Sequence, residues 1–216
     1  MQELTYLERA PRQESAPVAP VIFLLHGRAA YAKTIFTIEG LLDPRLHVIA
    51  IEAPYASELG GFEWFRPNEQ GRSDELRDAD HFTESEEILT AQIEKLISSR
   101  PVDPERVFLL GFSQGAAMSF IISLRGKINV KGAVPMGGFL PSPIREWREI
   151  ATNTRFLIAH GDKDEVLPEE TSIQANEFLL SKGIRSEFYS YRGRHKMSLS
   201  ALQHVNAWLA PDLQTI

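Results

Sequence analysis

Gly111-Phe112-Ser113-Gln114-Gly115 places one serine between two glycines, after an apolar run and ahead of a small-residue stretch. A hydroxyl in that setting can attack an acyl carbon once a base takes its proton. The pattern G-x-S-x-G works where a strand turns sharply into a helix and lifts the serine clear of the sheet. Val107 to Leu110 reads as the strand, and Ala116-Ala117 opens the helix. Glycines two before and two after the serine give the strained turn its room. The competing reading is a glycine-rich turn with a bystander serine.

The base must be a histidine, and in this kind of strand–turn–helix setting the order is serine, acid, histidine. Only His160, His195 and His204 follow Ser113. His204 falls in the last helix, off its apolar stripe, and reads as a solvated residue. His160 ends a strand ahead of an acidic loop, which leaves no acid between it and the serine at a strand end. His195 follows the strand Glu187 to Tyr191 in the turn Gly193-Arg194-His195, where a base can project. His195 is therefore the candidate base.

The acid should come from the loop after the preceding strand, to hold the imidazole tautomer and stabilise the imidazolium. That loop, His160-Gly161-Asp162-Lys163-Asp164-Glu165-Val166-Leu167-Pro168, offers three carboxylates. Asp162 sits nearer Gly161 and could instead cap the turn. Spacing barely separates it from Asp164. A metal site on His160, Asp162 and Asp164 is a weaker alternative, since no further imidazole lies nearby.

A tetrahedral intermediate also needs donors for its oxyanion. One is the N–H after the nucleophile, on Gln114. The second belongs to the loop after the first buried strand, His26-Gly27-Arg28-Ala29-Ala30, where the Arg28 N–H is the candidate. Only the Arg28 backbone is needed for this. Its side chain is free to steer an anionic or polar acyl substrate, or to sit in water. His26 reads as a structural residue that pins the loop. Trp64, Phe65, Phe139, Leu140 and Met197 stand near strand ends or the candidate triad and are candidates to line an acyl pocket.

These residues need a scaffold, and the apolar pattern supplies one. Continuous apolar runs cover Val21 to Leu25, His47 to Ile51, Val107 to Leu110, Val130 to Val134 and Arg155 to Ala159, and a more polar one covers Glu187 to Tyr191. Continuous apolar strands mean both sheet faces are covered. Helices are expected from a Thr83/Glu86 capping box through Ile97, over Ser113 to Leu124, over Glu169 to Lys182 before Gly183, and over Ser198 to Leu209. This alternation predicts one α/β domain over residues 1–216, a mostly parallel sheet with helices on both faces and ligands at the carboxyl strand ends. Gly60 to Asp80 is the one long stretch without periodicity. At 216 residues no separate cap domain fits, so the pocket is expected to be open and roofed by loops such as that one.

Composition narrows the chemistry further. The chain has no cysteine, which removes disulfides, thiolate metal sites and any cysteine nucleophile. The net charge of −6 argues against a broad nucleic-acid face. No apolar run reaches the ~20 residues of a membrane span, and the N-terminus lacks a secretory signal core. The expectation is a cytoplasmic protein with no nucleic acid and no membrane span among its partners. Association as a homodimer is a hypothesis for light scattering to decide.

Together these residues resemble the phospholipase/carboxylesterase family of α/β-hydrolases, which includes the acyl-protein thioesterases. The likeness runs from about Val21 to Leu209. It rests on Leu25-His26-Gly27, Trp64-Phe65, Gly111 to Ala116, Gly138-Phe139-Leu140-Pro141, His160-Gly161-x-x-Asp164-x-Val166-x-Pro168 and His195. The resemblance implies an α/β-hydrolase fold and puts the acid at Asp164. It also implies hydrolysis of a small-molecule carboxylic ester or acyl thioester through an acyl-enzyme, with no metal and no organic cofactor. Many relatives carry a second glycine where Ala29 stands, and Lys196-Met197 replaces the serine-containing sequence common after the thioesterase histidine. The chain thus looks more like a bacterial carboxylesterase-type relative than a thioesterase. A peptidase or lactonase on the same triad is an alternative, and a non-catalytic binding protein of this fold is a further one.

Overall fold

The computed structural model describes residues 3–13, 17–66 and 79–214. Nine strands and five α-helices are found among them. The strands are β1 (Tyr6–Arg9), β2 (Ala19–Leu25), β3 (His47–Ile51), β4 (Tyr55–Ala56), β5 (Phe62–Glu63), β6 (Val102–Phe112), β7 (Val130–Met136), β8 (Arg155–Gly161) and β9 (Ser186–Tyr191). The helices are α1 (Ala32–Phe36), α2 (Ala79–Ser99), α3 (Gln114–Arg125), α4 (Glu170–Ser181) and α5 (Leu199–Leu209). Seven strands form one sheet in the order β1-β3-β2-β6-β7-β8-β9, and β4 and β5 form a separate hairpin. Every pairing in the large sheet is parallel except that of β1 with β3.

The apolar runs explain this arrangement. All seven residues of β2 and all five of β3 are buried, so both strands need cover on both faces. Alternate side chains then separate into two cores. Val21, Phe23 and Leu25 join residues of α2, α3 and α4 on one face, while Ile22 and Leu24 join residues of α1 and α5 on the other.

The six strands expected from the apolar runs are all present. Three smaller elements were not expected. β1 is short and half-exposed, α1 has five residues, and the β4–β5 hairpin has two-residue strands, so none carries a readable period. The Thr83/Glu86 capping box is overturned, because α2 is already under way at Ala79. Glu86 is buried instead and holds Arg125 at 2.9 Å. Much of the stretch expected to roof the pocket, 67–78, lies outside the described residues.

The sheet order fixes where chemistry can happen. From β2 the chain steps out to β3 on one side, then returns to lay β6 on the other. The carboxyl ends of β2 and β6 therefore flank a topological switch point, where loops diverge and leave a crevice. β2 and β6 stay in register up to Leu25 and Gly111, so the His26 loop and the Ser113 turn emerge side by side.

Candidate active site

Ser113 stands between β6 and α3 with φ 55° and ψ −115°, a conformation that side chains other than glycine seldom adopt. Its neighbours make that turn possible. A Cβ on Gly115 would sit 2.0 Å from the Leu25 carbonyl oxygen, and one on Gly111 would sit 2.0 Å from the Gly115 carbonyl oxygen. Only glycine allows α3 to start so close to β2. The Ser113 amide donates to the Met136 carbonyl at 3.0 Å, tying the turn to β7.

His195 and Asp164 meet from the ends of β9 and β8. His195 Nδ1 lies 2.6 Å from Asp164 Oδ2. The other carboxylate oxygen accepts the Val166 and Leu167 amides, each at 2.9 Å. Burial pushes the Asp164 carboxyl up, but the Leu167 amide, the His195 imidazole and the Val166 amide outweigh it and leave the group below the usual range. Asp164 thus stays an acceptor, which fixes the proton of His195 on Nδ1 and frees Nε2 to act as a base. The Phe112 ring packs on the imidazole with centroids 4.8 Å apart. Gly137 has φ 53°, and a Cβ there would come 3.7 Å from both Asp164 Oδ2 and His195 Nδ1.

The rival carboxylate has a different task. Asp162 Oδ1 accepts the Gly193 amide at 2.9 Å, and the Lys163 amide donates to the Gly193 carbonyl at 2.8 Å. Asp162 therefore holds the turn that delivers His195. His160 is fully buried, 2.6 Å from Ser172 Oγ, 3.0 Å from the Leu167 carbonyl and 3.2 Å from Asp164 Oδ2. It braces the acid loop from beneath. His204, expected in solvent, is half-buried and stacks on Tyr189 at 4.0 Å.

The loop after β2 is set by His26. The Ala53 amide donates to His26 Nε2 at 3.0 Å, so the ring proton is on Nδ1, which donates to the Gly27 carbonyl at 2.7 Å. In a trans peptide the N–H points opposite the carbonyl, so turning the Gly27 oxygen toward His26 aims the Arg28 N–H away from it. Among the described residues, neither the Arg28 nor the Gln114 amide has an acceptor. Both residues line one cavity with Ser113 and His195. Burial lowers the basicity of His26, against the pull of the Gly27 carbonyl and Glu52, so the ring remains neutral and this tautomer persists.

The Gln114 side chain ties the start of α3 to the Trp64-Phe65 segment. Its Oε1 accepts the Trp64 amide at 3.1 Å and its Nε2 donates to the Phe65 carbonyl at 2.7 Å. Trp64 Nε1 in turn donates to the His26 carbonyl at 2.8 Å. Ala29 takes φ 55°, and the loop is clamped by a bridge between Ala30 and Phe62.

The cavity measures about 470 Å³ and is lined by Phe112, Phe139, Val166, Leu167 and Met197 beside the residues above. Of the five residues expected to line an acyl pocket, Phe139 and Met197 line this cavity. Trp64, Phe65 and Leu140 do not: all three are buried in the core beneath it. Sequence can show that a residue is apolar, but not which side of a loop it faces. The cavity also takes in Thr34 and Ile35 of α1, an element with no sequence signal, and Val166, which follows Asp164 by two residues.

A family model described as Phospholipase/Carboxylesterase matches residues 11–211. The chain is 32% identical over 116 residues to carboxylesterase SOBER1 of Arabidopsis thaliana, covering 52% of this chain and 51% of that protein. It thus spans about half the length of the plant carboxylesterases it matches. It is 29% identical over 193 residues to acyl-protein thioesterase 1 of Saccharomyces cerevisiae, covering 87% of this chain and 82% of that protein. The solved SOBER1 structure superposes with a TM-score of 0.77 at 25% identity, over 91% of this chain and all of that one. The crystal structure of esterase PE8 gives a TM-score of 0.88 at 24% identity, over 97% of this chain and 99% of that one, a likeness of fold.

Proposed function

Because the chain belongs to the phospholipase/carboxylesterase family, we propose that it is a serine hydrolase of carboxylic esters with Ser113 as nucleophile, His195 as base and Asp164 as acid. The observation that carries this reading is the 2.6 Å contact of buried Asp164 with His195, which lines the same cavity as the strained Ser113 turn. His195 Nε2 takes the Ser113 proton as Oγ attacks the ester carbonyl. The developing oxyanion receives the Gln114 and Arg28 amides, each donor worth ~3–4 kcal/mol in comparable sites. His195 then protonates the leaving alcohol. Water, deprotonated by His195, attacks the acyl-enzyme and releases the acid.

Two experiments test this reading. A fluorophosphonate probe should label wild-type protein at Ser113 and leave Ser113→Ala unlabelled. Absence of labelling on folded wild-type protein would overturn it. An acyl-thioesterase reading is favoured by the match to the yeast thioesterase, which covers most of both chains. A panel of ester, thioester and amide substrates with one acyl group separates the readings by the order of their kcat/KM values. Association as a homodimer and a cytoplasmic location stay proposals; light scattering over a concentration range and cell fractionation decide them.

A further inference from the structure

One cation in the cavity wall is held in an unusual way. Arg28 Nε lies 3.1 Å from Glu63 Oε2, and the Glu63 side chain is 4% exposed. Ser57 Oγ donates to the same oxygen at 3.0 Å. Glu63 belongs to β5, whose neighbour Phe62 bridges Ala30, so the carboxylate is fixed to the loop that carries Arg28. The anchor engages Nε alone. Among the described residues, neither terminal nitrogen of Arg28 has an acceptor, and the side chain is 38% exposed. A guanidinium anchored through Nε and open at both terminal nitrogens is prepared for a bidentate anion.

The cavity's charge balance agrees. Among the described residues, its formally charged lining residues are Arg28 and Lys196, and no carboxylate lines it. The whole chain has net charge −6, so these cations run against the overall charge of the molecule. An uncharged acyl chain gains nothing from that arrangement.

We propose that Arg28 forms an anion subsite and that the enzyme prefers esters bearing a carboxylate a few bonds from the scissile carbonyl. This deepens the serine-hydrolase reading and rests on it. The backbone of Arg28 faces the oxyanion while its guanidinium holds the substrate's own carboxylate, so one residue sets both register and selectivity. Lys196, on the exposed loop after His195, adds long-range attraction.

The test compares kcat/KM for matched pairs of esters. One pair places the charge on the acyl side: the p-nitrophenyl monoester of glutarate against a neutral p-nitrophenyl ester of similar size. The other places it on the alcohol side: the acetate of 4-hydroxybenzoate against that of its methyl ester. At least one pair should favour the anion by ~10-fold, the lower end for a charge-assisted hydrogen bond at a partly exposed site. The favoured pair identifies the side. The preference should weaken with rising salt. Arg28→Gln should abolish the ratio, and Arg28→Lys should keep only part of it. Because Arg28→Gln strands a buried carboxylate, the double variant Arg28→Gln/Glu63→Gln supplies a second measurement and should likewise lose the ratio. Hydrolysis of all esters without preference, or a preference untouched by these variants, overturns the subsite and leaves the hydrolase reading standing. No hydrolysis of any ester and no fluorophosphonate labelling overturns both.

Discussion

Ser113 has a side chain in a backbone conformation that glycine would take without cost, and the turn tolerates this because its neighbours cannot move. That rigidity makes the serine hard to replace in function and easy to replace in fold. Ser113→Ala should keep its melting temperature within a few degrees yet lose ~10⁶-fold in kcat. The two candidate carboxylates should differ sharply. Asp164→Asn should cost ~10⁴-fold in kcat by disturbing the His195 tautomer. Asp162→Asn keeps an Oδ1 that can still accept the Gly193 amide and should cost far less; the reverse order overturns the assignment. Ala29→Gly relieves a positive φ and should stabilise the fold by about 1 kcal/mol in denaturant titration. Ser113, the three carboxylates and His195 could be picked out as candidates because their types and order are constrained by chemistry. The choice of Asp164 over Asp162 needed the family resemblance. Glu63 was not legible as the partner of Arg28, 35 residues away, because nothing local announces a contact across a hairpin.

The elements divide in the same way. Long buried strands and amphipathic helices declare themselves by period, and β2, β3, β6, β7, β8 and β9 stand where the apolar runs put them. β1 alternates weakly and carries Glu8 and Arg9, so its edge position hides it. The start of α3 is where element and site meet. Gln114 spans from that helix to the Trp64-Phe65 segment with both ends of its amide. Gln114→Ala leaves a buried amide and a buried carbonyl unpaired and should destabilise the protein by about 1–3 kcal/mol each by chemical denaturation. It should also lower kcat more than it raises KM, since the loop it releases carries the Trp64 bond to the oxyanion loop.

For the whole molecule, stability should depend on pH in two stages. His26 and His47 are buried and their basicity is lowered chiefly by burial. The unfolded chain then takes up their protons first, so stability is lost as pH falls below ~6.5. Glu8 and Asp43, held low chiefly by Arg100 and Arg45, contribute stability at neutral pH that is lost as pH falls below ~4 and through their lowered values. Melting temperature should therefore be flat above neutrality, decline through mild acid and fall steeply in strong acid. A flat profile from pH ~7 to 5 would contradict the neutral assignment of His26.

The position of β9 has a consequence for how activity is born. The proposed base, His195, follows an edge strand of the sheet, 82 residues after Ser113, and among the described residues that strand pairs only with β8. A nascent chain emerging from the ribosome can assemble β2, β3 and β6 and form the serine turn while the base is still unmade. On the proposed triad, the chain should therefore stay inert through most of its synthesis. Reactivity toward a fluorophosphonate should switch on when β9 docks, so the probe would double as a clock for the final step of folding.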